Sequence, residues 1–317
     1  MINANQAEPE TLFEQRGCAG VITLNRPRQL NALTHTMVQA ITPQLLAWRD
    51  DASIARIVIQ GAGERAFCAG GDIRALYDLG KAGRIAEARP FWREEYTLNQ
   101  LLKTFPKPVV SLLNGIVMGG GVGMSFHGSH RVASEKLMFA MPEVGIGFFP
   151  DVGASWFLPR LPHHVGAYLA LTGARIGLGD AAALGLVTHA VHSTRVAELD
   201  QALGENIELE SILGAFTIAA PAAPLSEHYS TINDVFSEPD VALILAKLSY
   251  LAIGGLVFAG DTLETMQSKS PTSLVIALEQ MRRGSTMTFA DVMRMEYRIV
   301  SRIAEGHDFY EIGRAHV

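Results

Sequence analysis

The chain reads as an α/β fold followed by a helical C-terminal region. Three observations carry this: short apolar runs alternate with longer amphipathic ones, the pattern strand, strand, helix recurs, and after about Ser193 the strand-like runs stop. With 317 residues, 48% hydrophobic and 18% charged, the chain is long and apolar enough for one large core or a core with an appendage.

In chain order, residues 20–24, 54–60 and 109–113 are short apolar runs that each stop at Asn or Gly turn chemistry, as strands do. Between them, residues 32–48 form a helical pattern behind Asn31, which is expected to cap it, and 84–105 form a long amphipathic one stopped by Pro106-Lys-Pro108. Beyond Ser193, segments 208–220, 226–236, 240–252, 273–283 and 289–304 all carry helical periodicity. The expected division is a core at 12–193 and a helical region at 194–311.

Several function classes are excluded. A formal charge of −6 leaves no general basic field for nucleic acid. No run of about 18 apolar residues is present, so no membrane-spanning helix is expected. Cys18 and Cys68 are too far apart in the chain to suggest a disulfide framework or a zinc cluster, and the first residues lack signal or presequence character, so a cytoplasmic location is expected. None of the ten histidines sits in a ligand-spaced cluster, and no metal is expected. Nucleotide loops, the G-x-S-x-G elbow, H-E-x-x-H and C-x-x-C are all missing.

What remains is a set of glycine-rich loops and two carboxylates. Cys68-Ala-Gly-Gly-Asp72 and Met118-Gly-Gly-Gly-Val-Gly123 each offer backbone amides to a close ligand, although either alone reads equally as close packing. If Gly71 and Gly120 each aim an amide at one carbonyl oxygen they form an oxyanion hole, in which each donor stabilises the transition state by roughly 3 kcal/mol. Glu143 stands among Phe139, Met141, Val144, Ile146 and Phe148, where poor hydration would raise its pKa into the range useful for acid-base work; directly after Pro142 it is also a good helix-start residue. Asp151 is a candidate second polar group in the same pocket and equally a helix N-cap. Glu94-Glu95, on the 84–105 helix, reads by pattern as a solvated charge pair.

The order Val21-Ile-Thr-Leu-Asn25-Arg-Pro, Phe67-Cys-Ala-Gly-Gly-Asp72, Met118-Gly-Gly-Gly-Val-Gly123 and Met141-Pro-Glu143 resembles the crotonase, or enoyl-CoA hydratase/isomerase, superfamily. Phe91-Trp-Arg-Glu-Glu-Tyr96, Phe148-Phe-Pro-Asp151-Val-Gly, Lys269-Ser-Pro-Thr-Ser273 and Met295-Glu-Tyr297 are similar to its 3-hydroxyisobutyryl-CoA hydrolase branch. The resemblance implies a crotonase-like spiral of repeated ββα units with a helical C-terminal region. It implies an acyl-CoA thioester as substrate and no cofactor beyond the CoA that is part of it. It further implies an oxyanion hole at Gly71 and Gly120, Glu143 as the catalytic glutamate, Asp151 as the aspartate of the hydrolase branch, and Glu95 as a substrate contact, which overrules the pattern reading of that residue. CoA is expected along Arg28, Leu30 and Ala69.

Enoyl-CoA hydratases carry a further glutamate two residues after their glycine triplet, where this chain has Gly123. The resemblance therefore points to hydrolysis of 3-hydroxyisobutyryl-CoA or a close 3-hydroxyacyl-CoA. Hydration or isomerisation of an enoyl-CoA, and a non-catalytic acyl-CoA-binding protein, stand as alternatives. A homo-oligomer is compatible with the superfamily. Residues 312–317, Ile-Gly-Arg-Ala-His-Val, depart from the pattern and are expected to be a non-native end.

Overall fold

The computed structural model describes residues 8–311, so the expectation for 312–317 lies outside the described residues. Its strands are β1 (Thr11–Arg16), β2 (Ala19–Leu24), β3 (Arg56–Gly61), β4 (Ala66–Cys68), β5 (Val109–Leu113), β6 (Ile116–Met118), β7 (His130–Ser134), β8 (Met138–Ala140) and β9 (His189–Val191). The helices that follow or separate them are α1 (His35–Asp50), α2 (Ile73–Lys81), α3 (Ile85–Lys103), α4 (Gly120–Ser125), α5 (Ala154–Phe157), α6 (Val165–Thr172) and α7 (Leu178–Ala183). After β9 come α8 (Val196–Ala202), α9 (Leu209–Phe216), α10 (Tyr229–Phe236), α11 (Val241–Ile253), α12 (Val257–Gln267), α13 (Pro271–Gly284), α14 (Phe289–Ile303) and α15 (Asp308–Glu311).

From β3 onward, alternate strands go to two sheets. A six-stranded sheet has the order β1-β2-β3-β5-β7-β9 and a three-stranded sheet the order β4-β6-β8. Among these strands, β1 and β2 pair antiparallel and the other strand-to-strand pairings are parallel. The chain thus lays one strand in the large sheet, the next in the small one, and returns by helix, which is the spiral of ββα units that the resemblance implies.

A parallel sheet must be covered on both faces, and the side-chain alternation supplies two apolar faces. Val21, Val58, Val110, Leu112 and Val132 pack beneath Leu199 of α8, Leu203 just after it, and Leu209, Ile212, Leu213 and Phe216 of α9. The intervening Ile22, Leu24, Ile57, Ile59 and Val109 face the larger core, which continues into α13 and α14. The helical region therefore shares both cores with the strands.

Asn31 does not cap a helix. Its backbone is left-handed, at φ 57°, which an N-cap cannot use. Its buried side chain accepts from Arg26 N–H and donates to the carbonyls of Ala62 and Ala66, each at 2.9 Å, tying the loop to the β3–β4 connection. The cap is Thr34, extended at φ −99°, ψ 163°, whose hydroxyl accepts the Met37 N–H at 3.1 Å.

Candidate active site

All three strands of the small parallel sheet run their carboxyl ends toward one place. β4 leads into Ala69-Gly70-Gly71, β6 into Gly119-Gly120, and β8 into Met141-Pro142-Glu143. Ligand sites in α/β folds form at such ends. Here a cavity of about 920 Å³ opens, lined by Ala69, Gly71, Glu95, Gly119, Glu143 and Asp151 among others.

Two glycine loops meet at it: Gly71 lines the cavity, while Gly120 stands just behind the lining residue Gly119. The bonds Leu33 N–H to Gly70 O (2.8 Å) and Asp72 N–H to Leu33 O (2.9 Å) pin the loop on either side of Gly71, whose own N–H has no backbone acceptor among the described residues. Gly120 is the first residue of α4, so its N–H precedes the helical bonding. A Cβ placed on Gly120 would lie 3.2 Å from Gly71 N and 2.8 Å from Glu95 Oε1, so the two loops meet with Glu95 beside them. Gly119, at φ 46°, admits no side chain without strain, and a Cβ there would press to 3.0 Å from Glu143 Oε1.

Glu143 opens a 3-10 turn (Glu143–Ile146), so it is both a helix-start residue and a cavity residue. It is buried, and neither carboxyl oxygen has a hydrogen-bond partner among the described residues. Burial pushes its pKa well above the usual carboxylate value, and the nearby Asp151 adds to the rise. Glu95, also buried, is raised well above the usual value by burial and then by Asp151. Its neighbour Glu94 does point outward, 2.8 Å from His35, so the pattern reading holds for Glu94 and fails for Glu95. Asp151 is not an N-cap; Gly153 occupies that position of α5. The Asp151 carboxylate instead accepts the Tyr96 hydroxyl at Oδ2, 2.7 Å away, and burial raises its pKa to about 7 against the pull of that bond.

The turn carrying Asp151 is held from outside the strand core. Val152, a β-branched residue, has φ 51°, a strained conformation that persists only where surroundings enforce it. Glu296 on α14 accepts the Gly153 N–H at 2.7 Å and the Ser155 N–H at 3.0 Å. Gln280 on α13 donates to Pro150 O (3.1 Å) and Ser155 Oγ (2.9 Å). His127 Nε2 donates to Val152 O at 2.6 Å; burial lowers its pKa to about 4, so the imidazole is neutral. Burial lifts Glu296 to about 8 although both amides favour its charged form.

Glu95, Glu143, Asp151 and Glu296 thus all hold their protons to higher pH in the folded chain than in an unfolded one, and no cation contributes to any of the four shifts. Such groups add stability that is complete at acid pH and is lost as pH rises through the folded values, here about 7 for Asp151 and about 8 for Glu296. The thermal midpoint is expected to fall by roughly 5 °C or more between about pH 5 and 8.5. Calorimetry showing a midpoint that is flat or rising over that range would contradict the arrangement.

Of the expected CoA contacts, Ala69 lines the cavity and Leu30, left-handed at φ 52°, accepts the Ala69 N–H at 3.0 Å. Arg28 is exposed and outside the cavity lining. Among the described residues no group of three or more His, Cys, Asp or Glu could hold a metal ion, and no helix is long and apolar enough to cross a membrane. Sequence reasoning missed Tyr96, Gln280 and Glu296 as site-supporting residues. A signal existed for the last: Glu296 interrupts the apolar stripe Val292, Met293, Val300, Ile303 of α14.

Residues 19–317 match the enoyl-CoA hydratase/isomerase family. The chain belongs to that family. Within the enoyl-CoA hydratase/isomerase family it is 46% identical to the mitochondrial 3-hydroxyisobutyryl-CoA hydrolase of Xenopus tropicalis, over 99% of this chain and 83% of that protein. It is 45% identical to the Homo sapiens protein of the same name, again over 99% and 83%. Among solved structures of the fold, a carnitinyl-CoA dehydratase from Mycobacterium thermoresistibile is similar at TM-score 0.93 and 40% identity, covering 97% of this chain and 89% of that one. An enoyl-CoA hydratase from Rhodobacter sphaeroides is similar at TM-score 0.90 and 38% identity, covering 98% and 89%. The relatives' names also correct the cytoplasmic expectation, because these hydrolases are mitochondrial proteins. Two distant thiols carry no address within the cell.

Proposed function

We propose that this chain hydrolyses 3-hydroxyisobutyryl-CoA, or a close 3-hydroxyacyl-CoA, to the free hydroxy acid and CoA, a step of valine breakdown. The reading rests above all on Glu143, a buried carboxylate whose two oxygens have no hydrogen-bond partner among the described residues, at a cavity beside which the Gly71 and Gly120 loops meet. The relatives named 3-hydroxyisobutyryl-CoA hydrolase, similar over nearly the whole chain, support the substrate.

In this mechanism the Gly71 and Gly120 N–H groups polarise the thioester oxygen and take the charge that grows on it. Glu143 either removes a proton from a water that attacks the carbonyl or attacks it directly, giving a mixed anhydride that water then opens. In both routes the C–S bond breaks, the thiolate leaves with a proton, and the acyl group gains oxygen from water. Asp151 and Glu95 hold the 3-hydroxyl or the water, and CoA lies along Leu30 and Ala69, with Arg28 reaching its phosphates from the surface.

A hydratase reading draws on the names of the similar solved structures. It is disfavoured at Gly123, which brings no carboxylate and where even a Cβ would lie 2.8 Å from Asn99 Nδ2 and from Val152 Cβ. Thiol release from 3-hydroxyisobutyryl-CoA, set beside hydration of crotonyl-CoA, tests the proposal. Rapid thiol release with little hydration is expected; hydration without thiol release would replace the hydrolase reading, and neither reaction would leave a binding protein.

A further inference from the structure

Tyr96 has no part in the chemistry proposed above, yet its hydroxyl is spent on one of the reacting carboxylates. Residues 95 and 96 are adjacent on α3, and both are buried. Glu95 lines the cavity, while Tyr96 donates its hydroxyl to Asp151 Oδ2 at 2.7 Å. A phenol facing a carboxylate donates, so the bond takes one lone pair of Oδ2 and fixes the carboxylate's orientation, and Oδ1 has no side-chain partner among the described residues. The other ionisable groups around Asp151 are Glu95 on α3, Glu143 on the turn after β8 and Glu296 on α14, with the neutral His127 bound to the adjacent Val152 carbonyl. None of them donates to Asp151.

We infer that Tyr96 is a positioning residue that sets substrate specificity: by donating to Oδ2 it fixes the orientation of the Asp151 carboxylate, whose Oδ1 selects acyl chains carrying a hydroxyl over those without one. The inference rests on the hydrolase reading. A hydroxyl donating to a fixed carboxylate oxygen is discriminated strongly from its absence, because without it a buried acceptor goes unpaired. Burial holds the Asp151 carboxyl up at about 7 and the Tyr96 bond pulls that value down, so its loss favours the protonated form, which competes with the substrate hydroxyl as donor. The Tyr96 ring packs edge-on against Tyr297, with centroids 6.4 Å apart, a contact that phenylalanine preserves.

The test is Tyr96→Phe assayed with 3-hydroxyisobutyryl-CoA and isobutyryl-CoA across pH. The ratio of kcat/KM for the hydroxylated over the plain thioester is expected to fall by about tenfold, and the acid limb for the hydroxylated thioester to move to higher pH. Equal losses on both thioesters, with an unmoved limb, mean that Tyr96 only supports the fold and overturn the inference. Asp151→Asn is the second variant, expected to show the same low ratio; a wild-type ratio there also overturns it. A wild-type chain that cleaves neither thioester overturns the hydrolase reading and this inference together, whereas an unchanged ratio in Tyr96→Phe overturns this inference alone.

Discussion

Replacing Glu143 with glutamine is expected to lower turnover on 3-hydroxyisobutyryl-CoA by about a hundredfold or more while thioester binding changes only a few-fold. That loss corresponds to about 2.7 kcal/mol of transition-state stabilisation. The substitution isolates chemistry from structure unusually well. The Glu143 oxygens make no hydrogen bond among the described residues, so glutamine breaks none, and the side chains have nearly the same shape. A neutral amide is also easier to bury than a carboxylate whose pKa burial has already raised. The variant should therefore fold as stably as the parent, and increasingly more stably as pH rises, because a carboxyl raised by burial loses stability for the parent with rising pH. As a base or a nucleophile Glu143 works only deprotonated, so activity in the parent should climb with pH, and the variant's residual activity should keep only the part of that dependence that Asp151 sets. Thiol-release kinetics together with thioester titration calorimetry check this; near-parental turnover would remove Glu143 from the mechanism.

Glu296→Ala is expected to cost roughly 3 kcal/mol or more of stability and, in whatever fraction remains folded, most of the activity. Its two oxygens accept the amides of Gly153 and Ser155 in a fully buried place, and alanine leaves both donors without an acceptor. Each unsatisfied buried donor costs about 1–3 kcal/mol. Removing an acid that burial already penalises returns part of that cost, which is why the expectation is not larger. The activity loss has a separate origin. Once Gly153 is released, Val152, left-handed at φ 51°, is left to His127 and Gln280 alone, and Asp151 is expected to shift with it. Glu296→Gln keeps one acceptor oxygen and should fall between alanine and the parent. Denaturant unfolding of all three decides the matter, and an alanine variant within about 1 kcal/mol of the parent would show that Gln280 and His127 suffice to hold the turn.

The parts of the fold readable from sequence were those in which one residue pattern determines one element. Runs such as Ile57-Val-Ile59 and Val109-Val110 belong to β3 and β5, and the amphipathic stretches after Ser193 to helices α9 through α14, except α12, which the reading passed over. The strands β4, β6 and β8 were not readable, because three residues are too few to show a period, although their carboxyl ends carry the cavity loops. Gly71, Gly120, Glu143 and Asp151 were legible as glycine loops and as acids in apolar surroundings, with the family resemblance joining them. Glu95 misled the pattern reading because Glu94 beside it is solvated, yet Ala88, Phe91, Trp92, Leu98 and Leu102 place Glu95 within the buried stripe of α3. Tyr96 and Gln280 carry no such mark; a polar residue on a helix says nothing of a partner 55 or 130 positions away.

That last separation has a consequence for how the protein comes into being. A chain is made from its N-terminus, so Glu95, Glu143 and Asp151 all leave the ribosome before Gln280 and Glu296. Until those two emerge, the amides of Gly153 and Ser155 lack their acceptor and the Asp151 turn lacks its clamp. The nascent chain carries its reacting carboxylates well before it has the geometry to use them, and that geometry is supplied by helices α13 and α14.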